Sequence, residues 1–162
     1  MTIILGISAF YHDSAAALII DGEIVAAAQE ERFTRIKHDS SFPSNAVNYC
    51  LNEAKITINE INYISFYDKP FLKFDRLIKS YISLAPKGMM SFIISMIVWL
   101  HDKLYLKKNI INELRKIDKN FIPKNNIKFA EHHFSHASSA FYASPFQEAL
   151  VVTLDGVGEW AT

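Results

Sequence analysis

Short apolar runs bounded by polar turns open the chain. Ile3 to Ser8 (IILGIS), Ala15 to Ile20 (AAALII) and Glu23 to Gln29 (EIVAAAQ) each have strand length and composition. Asp21-Gly22, between the second and third runs, supplies the positive φ angles of a tight hairpin turn. Ala9-Phe10-Tyr11-His12-Asp13-Ser14 forms a polar elbow between the first two. Phe42-Pro43-Ser44 marks a helix start, with Ser41 or Ser44 available as the cap, and the helix runs to about Ala54. Ile61 to Phe66 reads as a fourth strand, stopped by Asp68-Lys69-Pro70.

A helical middle follows. Phe71, Phe74, Leu77, Ile78 and Tyr81 recur at helical spacing with charged residues between them. Leu104, Ile110, Ile111, Leu114 and Ile117 define another amphipathic helix whose opposite face is rich in lysine, a solvated face or a basic contact surface. Between them lies Met89 to Leu100 (MMSFIISMIVWL), about a dozen residues where a membrane span needs about 20. It reads as a helix buried on most faces or docked onto another domain, with an interfacial helix as the alternative. Ile127 to Ala130 is a short strand, Glu131 to about Ala143 a helix, and Ala149 to Leu154 (ALVVTL) a buried last strand entering Asp155-Gly156-Val157-Gly158-Glu159.

The order is that of an α/β fold with a mixed sheet. A strand that ends in a glycine turn expects a partner strand after it. The reading is therefore the N-terminal portion of a larger protein: a first lobe over 1–148, with a helical insertion over about 70–120, and the start of a second lobe over 149–162. Charge narrows the function. Seventeen Lys+Arg balance seventeen Asp+Glu, so the chain lacks the basic surplus of a nucleic-acid binder, and no nucleic-acid partner is expected. Half the residues are hydrophobic, enough for a core and against disorder. A single cysteine, Cys50, and a start without a basic signal region point to a cytoplasmic protein.

Glu131-His132-His133-Phe134-Ser135-His136 carries the strongest chemical signal. On a helix, positions four apart are rotated by about 40° and separated by about 6 Å, so His132 and His136 share a face and could bind one divalent metal. The competing reading is an ordinary pair of surface histidines. A zinc protease would need a glutamate where His133 stands, which argues against that chemistry. Asp155 is a plausible third ligand, and two histidines with one carboxylate suit Fe, Mn or Zn. Gly156, Val157 and Gly158 could bring backbone N–H groups to phosphate oxygens, although ordinary turns use the same residues. His12 with Asp13 could do acid–base work or simply shape a turn. The stretch from Gln29 to Arg35 and on through Lys37-His38-Asp39 reads as a charged loop with local ion pairs.

Taken together, the runs GISAFYHDSAAALIIDGEIVAAAQEERFTRIKHDSSFP, EHHFSHASSAFYASPF and ALVVTLDGVGE resemble the O-carbamoyltransferase family, which includes nodulation-factor and antibiotic-tailoring enzymes. The resemblance implies the first lobe of an actin-like ATPase fold (ribonuclease-H-like), truncated at the start of the second lobe. It implies a C-terminal YrdC-like domain, absent from this sequence, that makes carbamoyl-adenylate from carbamoyl phosphate and ATP. The N-terminal site then transfers the carbamoyl group to the hydroxyl of a small-molecule acceptor such as a sugar or aminoglycoside. It also implies a metal, iron in this type of site, held by His132, His136 and Asp155, and an inactive stand-alone fragment. Two other readings stay open: a protein resembling tRNA threonylcarbamoyl transferases, and a non-catalytic fragment that binds metal or a partner.

Overall fold

The computed structural model describes residues 1–102, 105–124 and 126–156. Three strands, β1 (Ile3–Ser8), β2 (Ala15–Ile20) and β3 (Glu23–Gln29), form an antiparallel meander. Asp21 and Gly22, with φ of 50° and 93°, make the hairpin turn their residue types demand. Register slips once, between Leu18 and Ile19, where Val25 is the extra residue of β3. β4 (Tyr63–Phe66) and β5 (Ile127–Phe129) then add in parallel on the other side of β1. The order β3-β2-β1-β4-β5 puts β1 at the centre, with Ile3, Leu5 and Ile7 buried.

Between β3 and β4 the chain forms a single helical turn, α1 (Glu31–Thr34), then α2 (Ser44–Ala54) and a short 3-10 turn, Ile58–Glu60. Helix α2 packs across β2 and β3 with Ala46, Val47, Cys50 and Leu51 buried. The alanines of those strands let it approach closely. Cys50 Sγ lies 3.6 Å from the Ala16 carbonyl and 3.7 Å from that of Ala26. Burial pushes the Cys50 thiol up from its ordinary range, so this cysteine packs rather than reacts.

The predicted serine cap of α2 is not what the structure uses. Pro43 occupies the cap position without a side-chain bond. The buried Glu30 carboxylate instead accepts from Asn45 N at 3.1 Å, Ala46 N at 2.8 Å and Asn45 Nδ2 at 2.7 Å. An anion on the free N–H groups of a helix end satisfies them as a local cap would.

The remaining helices are α3 (Pro70–Leu84), α4 (Met89–Asp102), α5 (Leu106–Ile117) and α6 (His132–Phe141). Lys103 and Leu104, expected at the start of α5, lie outside the described residues. The chain divides into two compact units, Met1–Tyr67 with Lys107–Phe129, and Asp68–Leu106 with Ala130–Thr162. The first holds the sheet, α1, α2 and nearly all of α5, whose Ile110 and Leu114 are fully buried. The second holds α3, α4 and α6.

Two expectations in the second unit are corrected. Helix α4 is not buried on most faces: it meets α3 through stacked Tyr81 and Phe92 rings at 4.1 Å, while Met89, Met90, Ile93, Ile94 and Ile97 stay exposed. No helix among the described residues is long and apolar enough to cross a membrane. Residues 149–154 form no strand; Leu150 and Leu154 are 93% and 87% exposed. An extended segment becomes a strand only when a neighbour takes its N–H and C=O groups, and none of the five described strands does.

Candidate functional site

Helix α6 begins at His132, with Glu131 in extended conformation at the cap position. Glu131 accepts an ion pair from Lys69 at 3.0 Å, and its carbonyl accepts from both the backbone N–H and the hydroxyl of Ser135. With the first turn held this way, the four-residue spacing brings His132 and His136 to one face, their rings edge to face with centroids 4.6 Å apart. The two Nε2 atoms are 3.2 Å apart.

Asp155 reaches the same point from the segment after α6. Its Oδ2 lies 2.6 Å from His132 Nε2 and 3.9 Å from His136 Nε2. The His132 side chain is 16% exposed and that of His136 55%, so the trio is open on one side. Among the described residues these three form a group whose ligand atoms all lie within 4.8 Å of one another.

The donor set fits a divalent ion. Ligand atoms about 2.0–2.1 Å from one tetrahedral centre are roughly 3.3 Å apart. The observed separations of 2.6, 3.2 and 3.9 Å bracket that value, so small side-chain shifts would place all three atoms around one ion. Two borderline imidazoles with one hard carboxylate suit Fe, Mn or Zn and would leave positions for other oxygens. Gly156 follows Asp155 in an exposed bend with open space where a Cβ would stand. Val157, Gly158 and Glu159, the rest of the expected phosphate turn, lie outside the described residues.

A second cluster sits in the first unit, at the elbow between β1 and β2. His12 Nδ1 is 2.7 Å from Asp13 Oδ2, and the His12 ring also lies against Tyr11 at 4.5 Å. The other carboxylate oxygen is taken as well: His38 Nδ1 is 2.8 Å from Asp13 Oδ1. The N–H groups of His38 and His12 hold the Asp13 carboxyl below the ordinary carboxylate range.

His38 arrives there because the charged loop folds back onto the elbow. Phe10 N donates to the Ser40 carbonyl at 3.0 Å and Ser14 N to the Asp39 carbonyl at 2.8 Å. Asp39 is buried and accepts from Thr34 Oγ1 and Ser41 N, while Glu31 accepts from the His38 N–H. The contacts from Ser41 and Thr34 keep the Asp39 carboxyl below its usual range too. The loop expected to hold local ion pairs thus also delivers His38, a residue the sequence does not mark as functional. Its one signal was the KHD run, whose partner lies 25 residues away.

Residues 3–162 match the family described as carbamoyltransferase N-terminus. The chain belongs to that family. Among relatives of this carbamoyltransferase N-terminal domain, an uncharacterized protein of Synechocystis sp. is 58% identical over 165 residues, covering 100% of this chain and 26% of its own length. Nodulation protein NolNO of Sinorhizobium fredii is 34% identical over 154 residues, 94% of this chain and 21% of NolNO. An uncharacterized protein of Methanocaldococcus jannaschii is 31% identical over 196 residues, 99% of this chain and 32% of the relative. This carbamoyltransferase N-terminal domain thus spans only about a fifth to a third of the length of these relatives.

Proposed function

We propose that the chain is the N-terminal part of an ATP-dependent O-carbamoyltransferase acting on a hydroxyl of a small-molecule acceptor. Family membership supplies the reaction class, and one observation supports the site: His132, His136 and Asp155 converge within 4.8 Å, with Asp155 brought from 19 residues beyond His136 to the face the two histidines share. The sheet supports the fold part of the proposal. Among the described strands only β2 runs against the other four, an arrangement compatible with the ribonuclease-H-like first lobe of an actin-like ATPase.

In this reading the donor is carbamoyl-adenylate, made from carbamoyl phosphate and ATP by a YrdC-like domain C-terminal to these residues. A metal, iron or else Mn or Zn, would be held by His132, His136 and Asp155 and would supply fixed positive charge for phosphate or substrate oxygens. Gly156, Val157 and Gly158 would offer backbone N–H groups to the same kind of oxygen.

His12 takes the proton. An ionised carboxylate only accepts hydrogen bonds, so His12 Nδ1 donates to Asp13 and the neutral ring carries its lone pair on Nε2. The His12 side chain is 60% exposed, which leaves it open to a ligand. As the acceptor oxygen bonds to the carbamoyl carbon, its proton passes to Nε2. The bond from that carbon to the adenylate oxygen breaks, and AMP leaves.

The test uses a full-length protein carrying this chain. His12→Ala should lower carbamoyl transfer by about a hundredfold or more, while carbamoyl-adenylate formation persists. Near-normal transfer by His12→Asn would exclude the base role, because an amide cannot take the proton.

A further inference from the structure

We infer that His38 is a second substrate-facing imidazole, paired with His12 through Asp13, and that its Nε2 accepts a hydrogen bond from a second hydroxyl or amine on the acceptor molecule. The inference rests on the carbamoyl-transfer reading and extends it to a residue outside the metal trio and to the chemistry of the acceptor.

The geometry comes first. One carboxylate serves two rings, each through its own oxygen, at 2.7 and 2.8 Å. Because the Asp13 carboxyl is ionised, both contacts must be N–H donations, so both rings are fixed as Nδ1–H tautomers when neutral. Each Nε2 is then a hydrogen-bond acceptor, and the two side chains are 60% and 62% exposed. At that exposure each Nε2 faces solvent and is open to a ligand. Neither His12 nor His38 uses its Nε2 within the fold among the described contacts.

The backbone points the same way. Phe10, Asp13 and His38 have φ of 69°, 51° and 56°, a left-handed conformation that costs energy for any residue with a Cβ. Three such residues meet where the elbow and the loop are tied together, and their effect is to set two rings on one carboxylate. Two acceptor nitrogens with no hydrogen-bond partner among the described residues favour a ligand that brings two donors: the hydroxyl to be carbamoylated and a second hydroxyl or amine.

Histidine variants separate the two nitrogens of His38. His38→Asn keeps an N–H for Asp13 but has nothing where Nε2 stands. His38→Gln reaches that position with a carbonyl that accepts. In a full-length protein carrying this chain, His38→Asn should raise the acceptor KM about tenfold, the worth of one neutral hydrogen bond to the ligand, with little change in kcat. His38→Gln should recover part of the loss. An unaltered KM in His38→Asn overturns the inference and leaves His38 as a prop for Asp13. Should His38→Asn fail to fold, a lower KM for His38→Gln than for His38→Ala supports the inference, and equal values overturn it.

A second readout does not depend on the reaction. Long-range proton–nitrogen NMR of the histidine-labelled 162-residue chain, at about pH 8 where imidazoles are ordinarily neutral, should show Nδ1–H on both rings. An Nε2–H tautomer for His38 overturns the pair whatever the activity. A wild-type full-length protein that transfers no carbamoyl group sinks the functional reading instead, and takes the substrate-facing role of His38 with it even where both rings are Nδ1–H.

Discussion

Asp13 and Asp155 do similar work in different places: each is a carboxylate that gathers two imidazoles. Asp13 binds Nδ1 atoms and so turns the Nε2 atoms outward, whereas Asp155 meets the Nε2 atoms themselves, the atoms that would take the ion in the proposed site. The difference makes the metal prediction residue-specific. Bound Fe(II) or Zn(II), measured by elemental analysis after dialysis, should fall to near background in His136→Ala and remain mostly intact in His133→Ala. His133 lies next to His132 on the helix yet has no part in the trio. Equal losses in the two variants would overturn the assignment of the helix face. The pairing of His132 with His136 was legible from their spacing alone, since helical geometry is local. The second partner of Asp13 was not, because His38 is distant in sequence and reaches the carboxylate only after the loop has folded.

At the scale of elements, α2 shows why caps are hard to read from a sequence. Two serines stand near its start, yet its free N–H groups are met by Glu30, the residue between β3 and α1. The carboxylate is buried, so removing it strands donors and leaves space beside the sheet. Glu30→Ala should destabilise the fold by about 2–3 kcal/mol, read as a lowered urea midpoint with an unchanged slope. Glu60 offers a contrast. It accepts from Thr57 N and Thr57 Oγ1 in an exposed capping box, so Glu60→Ala should cost far less. Those contacts from Thr57 hold the Glu60 carboxyl below its usual range. Their contribution is therefore full above the ordinary glutamate range and disappears only as pH falls through the lowered folded value. Strand boundaries were legible where apolar runs end in turn residues, as with β1 to β3. The stretch 149–154 misled for a physical reason: its composition is that of a strand, but composition cannot provide the neighbour that makes it one.

For the whole molecule, length sets the expectation. The chain spans about a quarter of the Synechocystis relative and a fifth of NolNO. Residues 1–162 alone, supplied with carbamoyl phosphate, ATP and a candidate sugar or aminoglycoside, should therefore show no turnover above background; clear product formation would refute this. What the sequence by itself determined was mostly what has a local cause. Apolar runs marked β1 to β5 and the main helices, and marked 149–154 as well; Asp21-Gly22 set the hairpin, and the four-residue spacing set the shared face of His132 and His136. Only the tertiary structure decided which distant groups meet. It put Glu30 on the end of α2, Asp155 on the α6 histidines and His38 on the Asp13 carboxylate. These contacts join residues far apart in the chain, and their positions depend on sheet order and loop closure, which no short window of sequence contains.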